Sequence, residues 1–249
     1  MMSDQMLAET VEVEGFGGDG IEAYFARPTG SGPYGSVVVI HHMPGYDEAT
    51  KEITRKFAYH GYQAICVNLY SREAPGAAPD DAAATARARG GVPDERLVGD
   101  VKGAAEFLRS QAASNSRVGV IGYCSGGRQA FLSACSLDDI DAAAVCYGAF
   151  IVSDPLPEMP SKVRSLIHLT PNAACPILGL FGAEDKFPTP EEVAKLDSEL
   201  TKYSKEHEFH IFEGAGHGFF AVDRPSYRPE AANEGWQKIW AFFGKHLSN

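Results

Sequence analysis

At 249 residues the chain can bury one sizeable core, and its 44% hydrophobic and 22% charged content is that of a globular protein, not a disordered or fibrous one. Its 22 basic and 33 acidic side chains leave a net charge of −11, which opposes binding to a polyanion such as nucleic acid. Five cysteines, Cys66, Cys124, Cys135, Cys146 and Cys175, are odd in number, irregularly spaced and lack a C-x-x-C pair, which argues against both a disulfide framework and a zinc site.

Residues 1–20 lack the basic start and apolar run of a leader, and no stretch of about 18 apolar residues could span a bilayer. A cytoplasmic protein with reduced thiols, partnered by neither membrane nor nucleic acid, is the expectation.

Residues 10–14 and 21–27 read as two strands joined by a glycine-rich turn at 17–20, a hairpin leading into a sheet. Within 36–42, Val37, Val38, Val39 and Ile40 form an unbroken β-branched run, the mark of a strand covered on both faces in a mostly parallel sheet. Ile53, Phe57 and Ala58 recur at helical spacing within 48–60, and Gly61 supplies a stop. A strand over 62–69 precedes 71–93, a stretch rich in Ala, Pro and Gly that reads as a long, partly helical excursion over one end of the sheet. A helix over 94–111, a short buried strand over 117–121 and a helix over 125–134 follow. Strands over 142–146, 176–181 and 208–212 then alternate with helices over 189–203 and 227–247. The 189–203 helix has the clearest start, with Thr189 as cap, Pro190 in the first turn and Glu192 closing a capping box.

This alternation implies right-handed β-α-β units and an α/β fold, with a mostly parallel central sheet flanked by helices on both faces and the hairpin as an antiparallel edge. A single domain over 1–249 is expected, with its core at about 21–247.

The chemistry concentrates at Gly122-Tyr123-Cys124-Ser125-Gly126-Gly127, which fits G-x-C-x-G between a strand and a helix. In the serine form of this motif the nucleophile occupies a strained strand-to-helix bend, and the glycines avoid collisions with neighbouring backbone. A cysteine there sits at a helix N-terminus, where amides and dipole favour a thiolate and the Ser125 N–H can donate to an oxyanion. The plainer alternative is a buried structural cysteine beside a glycine-rich helix start.

The motif calls for an acid and then a histidine downstream, each in a loop at the C-terminal end of a later strand. Asp185, in Gly182-Ala183-Glu184-Asp185, and His217, in Gly214-Ala215-Gly216-His217-Gly218, stand in that order, with Glu184 a rival for the acid. His217 would take the thiol proton and later activate water, while Asp185 would fix the imidazole tautomer and stabilise its charged form. Singly, Asp185 reads equally well as a loop residue before a capped helix, and His217 as a turn residue between glycines.

These motifs resemble the dienelactone hydrolase family of α/β-hydrolases, also called carboxymethylenebutenolidases, over about residues 21–247. The elbow at 122–127, the stretch Asn-Leu-Tyr-Ser-Arg-Glu-Ala-Pro-Gly at 68–76, and the segments 182–187 and 214–219 carry the likeness. It implies the α/β-hydrolase fold and a triad of Cys124, His217 and Asp185 that opens cyclic dienelactones, in the breakdown of aromatic compounds, through a thioester acyl-enzyme. No metal or organic cofactor is implied. The resemblance also places the backbone N–H groups of Met43 and Ser125 in an oxyanion hole and Arg72 on a substrate carboxylate.

Two positions depart from the family pattern. His42 stands where the family has a glutamate that helps deprotonate the thiol, and Ala221 where it has a second carboxylate-binding arginine, with Arg224 a little further on. His42 is expected to favour the thiolate, to bind an anionic substrate group, or to orient its neighbours. Arg72, Arg128 and Arg224 are candidates for reversing the acidic field at a pocket mouth, each reading otherwise as a surface arginine. Tyr46, Tyr70, Tyr123, Phe150, Phe187 and Phe219 could line an apolar pocket or simply belong to the core. Two other functions suit the same residues: a noncatalytic small-molecule receptor or thiol redox sensor on this fold, and a carboxylesterase or thioesterase for a different substrate.

Overall fold

The β-branched run at 37–40 lies at the centre of one eight-stranded sheet. In the computed structural model, which describes residues 5–157 and 162–248, every side chain from Val37 to Ile40 is fully buried. Residues 1–4, the start of the stretch read as lacking a leader, lie outside the described residues.

The strands are β1 (Met6–Glu14), β2 (Gly20–Pro28), β3 (Tyr34–Ile40), β4 (Gln63–Val67), β5 (Ser114–Tyr123), β6 (Ala142–Cys146), β7 (Ile177–Gly182) and β8 (His207–Phe212). They lie in the order β1-β2-β4-β3-β5-β6-β7-β8. The β1–β2 and β2–β4 pairs are antiparallel, and the pairs from β4 through β3, β5, β6 and β7 to β8 are parallel. The C-terminal ends of the six parallel strands therefore share one edge, and the loops leaving them are neighbours.

Six helices, α1 (Glu48–Tyr59), α2 (Pro79–Ala88), α3 (Asp94–Ser110), α4 (Ser125–Ser136), α5 (Pro190–Lys202) and α6 (Pro229–Leu247), complete the fold. Alternate residues of the central strands face opposite ways. Val38 and Ile40 join Leu97 and Val101 of α3, Phe131 of α4 and Leu196 of α5 in one core layer. Val37 and Val39 join Phe57 of α1 and Ile239 and Phe243 of α6 in the other. Burying each such large side chain contributes about 1.5–3 kcal/mol.

Boundaries shift where burial is not what makes the element. Strand β1 begins at Met6, earlier than its side chains suggest, because a full backbone ladder with β2 holds it while most of its side chains stay exposed. The excursion after β4 contains α2, started by Pro79 and with Asp80 and Asp81 in its first turn, where they complement the helix dipole. The capping box of Thr189 and Glu192 forms as the sequence indicates and sets the start of α5.

Candidate active site

Cys124 occupies the turn between β5 and α4 with φ 56° and ψ −119°, a conformation rare for any side-chain-bearing residue. Close backbone contact on both sides enforces it. A Cβ on Gly122 would stand 1.9 Å from the Gly126 carbonyl oxygen, and one on Gly126 would stand 2.4 Å from the carbonyl oxygen of Ile40. The glycines thus let the elbow close on itself and let α4 start directly against the end of β3. The Cys124 amide donates to the Cys146 carbonyl at 3.1 Å, and the helix begins with its first amides pointing back at the elbow.

Cys124 is half-buried, whereas the other four cysteines are buried. Desolvation pushes the thiols of Cys66 and Cys146 far up and those of Cys135 and Cys175 up to about 12. These four are core residues.

The loops after β7 and β8 are drawn together by backbone. The Glu184 amide donates to the Ala215 carbonyl at 2.9 Å, and a Cβ on Gly182 would stand only 2.3 Å from that same oxygen. This leaves the Glu184 side chain exposed and turns Asp185 inward, with its side chain 1% exposed, which decides between the two candidate acids. One Asp185 oxygen accepts from the Phe187 amide at 2.9 Å, and the other lies 3.0 Å from Nδ1 of His217. A carboxylate only accepts, so Nδ1 carries the hydrogen and Nε2 is left for the thiol. Burial pulls the His217 pKa down. Hydrogen bonds to Asp185 and Cys124, and their charges, outweigh it and raise it to about 10.

Cys124, His217 and Asp185 are therefore together. The β3 loop stands beside them. His42 Nε2 is 2.8 Å from Oδ2 of Asp47, whose other oxygen accepts from the Thr50 amide at 2.8 Å and so caps α1. Burial would raise Asp47, but the bonds from His42 and Thr50 bring it down to about 2. His42 thus faces a carboxylate of its own, and an incoming anion would have to compete with it. The Met43 side chain meets Nε of Arg87 through its sulfur, and its amide follows directly on His42.

The three arginines differ in their partners. Arg72 is engaged within the protein: Nη1 and Nη2 hold the buried Asp100 of α3 at 2.8 and 2.9 Å, and Nε holds Asp19 at 2.7 Å. Two carboxylates more than neutralise its charge, and a substrate carboxylate would have to compete with them for it. Arg128 is likewise buried, bonded by both Nη atoms to Asp94 and by one to the Arg164 carbonyl. Arg224 is exposed on the turn after Val222.

A cavity of about 470 Å³ opens beside His42 and Tyr147, with Ile53, Phe220, Ala221 and Trp236 among its walls. The Tyr147 ring also stands 5.1 Å from the His217 ring. Of the six aromatics, Tyr123 lines this cavity, Tyr46 and Tyr70 line a smaller one, Phe219 is fully buried, and Phe150 and Phe187 meet at 6.0 Å. Sequence reasoning missed Tyr147, although it follows β6 at the same sheet edge that supplies Cys124, Asp185 and His217. It also passed over His41 and Asp47. Among the described residues no group of three or more His, Cys, Asp or Glu side chains could hold a metal ion, and no helix is long and apolar enough to cross a membrane.

The strand order, the two antiparallel edge strands and the strand-to-helix bend at residue 124 define the α/β-hydrolase fold. Within that class, the Dienelactone hydrolase family profile matches residues 21–247, and the chain belongs to this family, whose members are hydrolases of lactones and esters. It is 31% identical over 234 residues to a protein of Escherichia coli strain K12 provisionally named a carboxymethylenebutenolidase, covering 92% of this chain and 84% of that one. A Synechocystis relative with the same provisional name is also 31% identical over 234 residues, covering 91% of this chain and 92% of its own. A crystal structure from Klebsiella pneumoniae, provisionally called a dienelactone hydrolase, superposes with a TM-score of 0.83 at 27% identity, covering 98% of this chain and all of that one.

Proposed function

We propose that this protein hydrolyses a small ester or lactone with Cys124 as nucleophile, His217 as its acid and base, and Asp185 as the group that orients His217. The observation that carries this is the position of His217, bonded at Nδ1 to a buried carboxylate and coupled through the rest of its ring to the one accessible thiol.

His217 raised to about 10 is an imidazolium at neutral pH, its proton drawn from the thiol. The thiolate sulfur attacks the ester carbonyl, and the Ser125 and Met43 amides receive the charge that develops on oxygen. As that intermediate collapses, the carbon–oxygen bond breaks and His217 gives its proton to the leaving oxygen. In a lactone this oxygen stays tethered to the acyl group. Once the sulfur is a thioester its negative charge is gone, and with it two of the influences that raised His217. The imidazole becomes a weaker acid-holder and a usable base, takes a proton from water, and the hydroxide opens the thioester to restore the thiolate.

Arg72 and Arg128 are bound to Asp100, Asp19 and Asp94, while the cavity wall combines Ile53, Tyr147, Phe220 and Trp236 with two cations, Arg55, paired with Glu48 and Glu52, and Lys56, seated over the Trp236 ring. The aromatic and aliphatic walls support a substrate with an apolar body.

Turnover of p-nitrophenyl acetate and of a dienelactone is expected to collapse in Cys124→Ala and His217→Ala, with an acyl group on Cys124 trapped by mass spectrometry in the parent. Unchanged rates in the purified variants would reject the reading. Saturable ligand binding without hydrolysis of any ester or lactone would favour the receptor instead.

A further inference from the structure

His41 takes part in none of these steps, yet it is the more deeply placed of the two histidines that end β3. Its ring is 2% exposed and touches two loops at once. Nδ1 lies 2.9 Å from the carbonyl oxygen of His42, and Nε2 lies 3.2 Å from the amide nitrogen of Leu69. An amide nitrogen can only donate and a carbonyl oxygen can only accept. Nε2 must therefore be the bare nitrogen and Nδ1 the protonated one, so the partners alone fix a neutral ring and its tautomer. The low pKa agrees: burial outweighs the bond to His42 and the charge of Asp47 and brings His41 down to about 4, with His42 charge acting the same way as burial.

The atom His41 holds is half of a peptide plane. The carbonyl of His42 and the N–H of Met43 belong to one planar trans peptide unit. With that carbonyl tied down, the Met43 N–H is aimed in the opposite direction. The same loop packs against the start of α4, since a Cβ on Gly126 would stand 2.9 Å from the His41 carbonyl oxygen. The far side of the ring is held by Tyr70, edge-on at 4.8 Å, and Gly45 leaves room for both rings.

We propose that His41 is a positioning residue that, by holding the His42 carbonyl and the Leu69 amide together, aims the Met43 N–H at the carbonyl oxygen under attack. This rests on the Cys124 reading and adds to it a clamp, at the inner wall of the cavity, that acts through the Met43 peptide and not on the sulfur.

The test compares two reactions of one thiol. Ester acyl transfer builds an oxyanion, whereas alkylation of Cys124 by iodoacetamide displaces iodide from carbon and builds none. His41→Leu removes both bonds, and the ratio of acyl transfer to alkylation is expected to fall about 100-fold, the usual loss for one oxyanion donor, mainly in kcat. His41→Gln retains one donor and one acceptor and is expected to keep the ratio within about fivefold of the parent on that same scale. Should the leucine variant not fold, His41→Ser, too short to span both partners, is expected to show the lowered ratio. A ratio unchanged in His41→Leu or His41→Ser, or a glutamine variant as impaired as they are, overturns the proposal. Full hydrolysis by Cys124→Ala would instead overturn the underlying reading.

Discussion

His41 is 2% exposed and the His217 side chain 37%, and the two hold opposite charge states. Burial pulls on each in the same direction. His41 has only a carbonyl and an amide as partners, and burial wins, leaving a neutral ring near 4. His217 has a carboxylate and a thiol, and they reverse the outcome to about 10. The lesson is that partner charge can overturn the pull of burial on a histidine.

The strongest way to break this contrast is to remove the carboxylate. Asp185→Asn is expected to lower kcat about 10⁴-fold, because the imidazole loses both its tautomer and its countercharge. It should also shift the pH profile. In the parent, acylation is expected to be lost as pH rises through about 10, when the imidazolium would give up its proton. Asp185 raises that value, so its removal must move the alkaline limb to lower pH, toward 6.5. Stopped-flow acylation rates across pH would show it, and an unmoved limb would break the comparison.

A smaller effect tests His41. The folded protein binds a proton on His41 only near pH 4, while the unfolded chain does so near 6.5. Above 6.5 neither state holds the proton and stability is full. As pH falls from 6.5 to 4 the unfolded state alone takes it up, at a cost of about 3 kcal/mol. Denaturant midpoints at pH 7 and pH 4 should therefore differ by less in His41→Gln than in the parent.

Smallest is Asp47→Ala, which removes the α1 cap and the partner of His42 together. Stability is expected to fall by about 1 kcal/mol in thermal melts. Acyl transfer should change far less than in Asp185→Asn, which would separate this second His–Asp pair from the first.

The difference between legible and hidden follows from how far apart partners lie along the chain. The elbow and the order Cys124, Asp185, His217 are readable because each residue follows its own strand and its neighbours announce the turn. The capping box of Thr189 is local and equally plain. The pairing of Arg72 is hidden because Asp100 lies 28 residues away on a helix, where nothing in the pattern marks a buried acid. His41 and His42 are adjacent in sequence, yet one ring turns into the core and the other toward Asp47, and only the loop path decides which. Strand β1 hides its length because backbone pairing with β2, not an alternating apolar face, sustains it.

Four of the five thiols are sealed in the interior and hold their hydrogens tightly. A thiol-selective electrophile dissolved around the folded molecule consequently meets a single accessible cysteine. One equivalent of a thiol-seeking reagent would count working molecules in a preparation, and a dye attached that way would report on the cleft alone without any cysteine having to be engineered out.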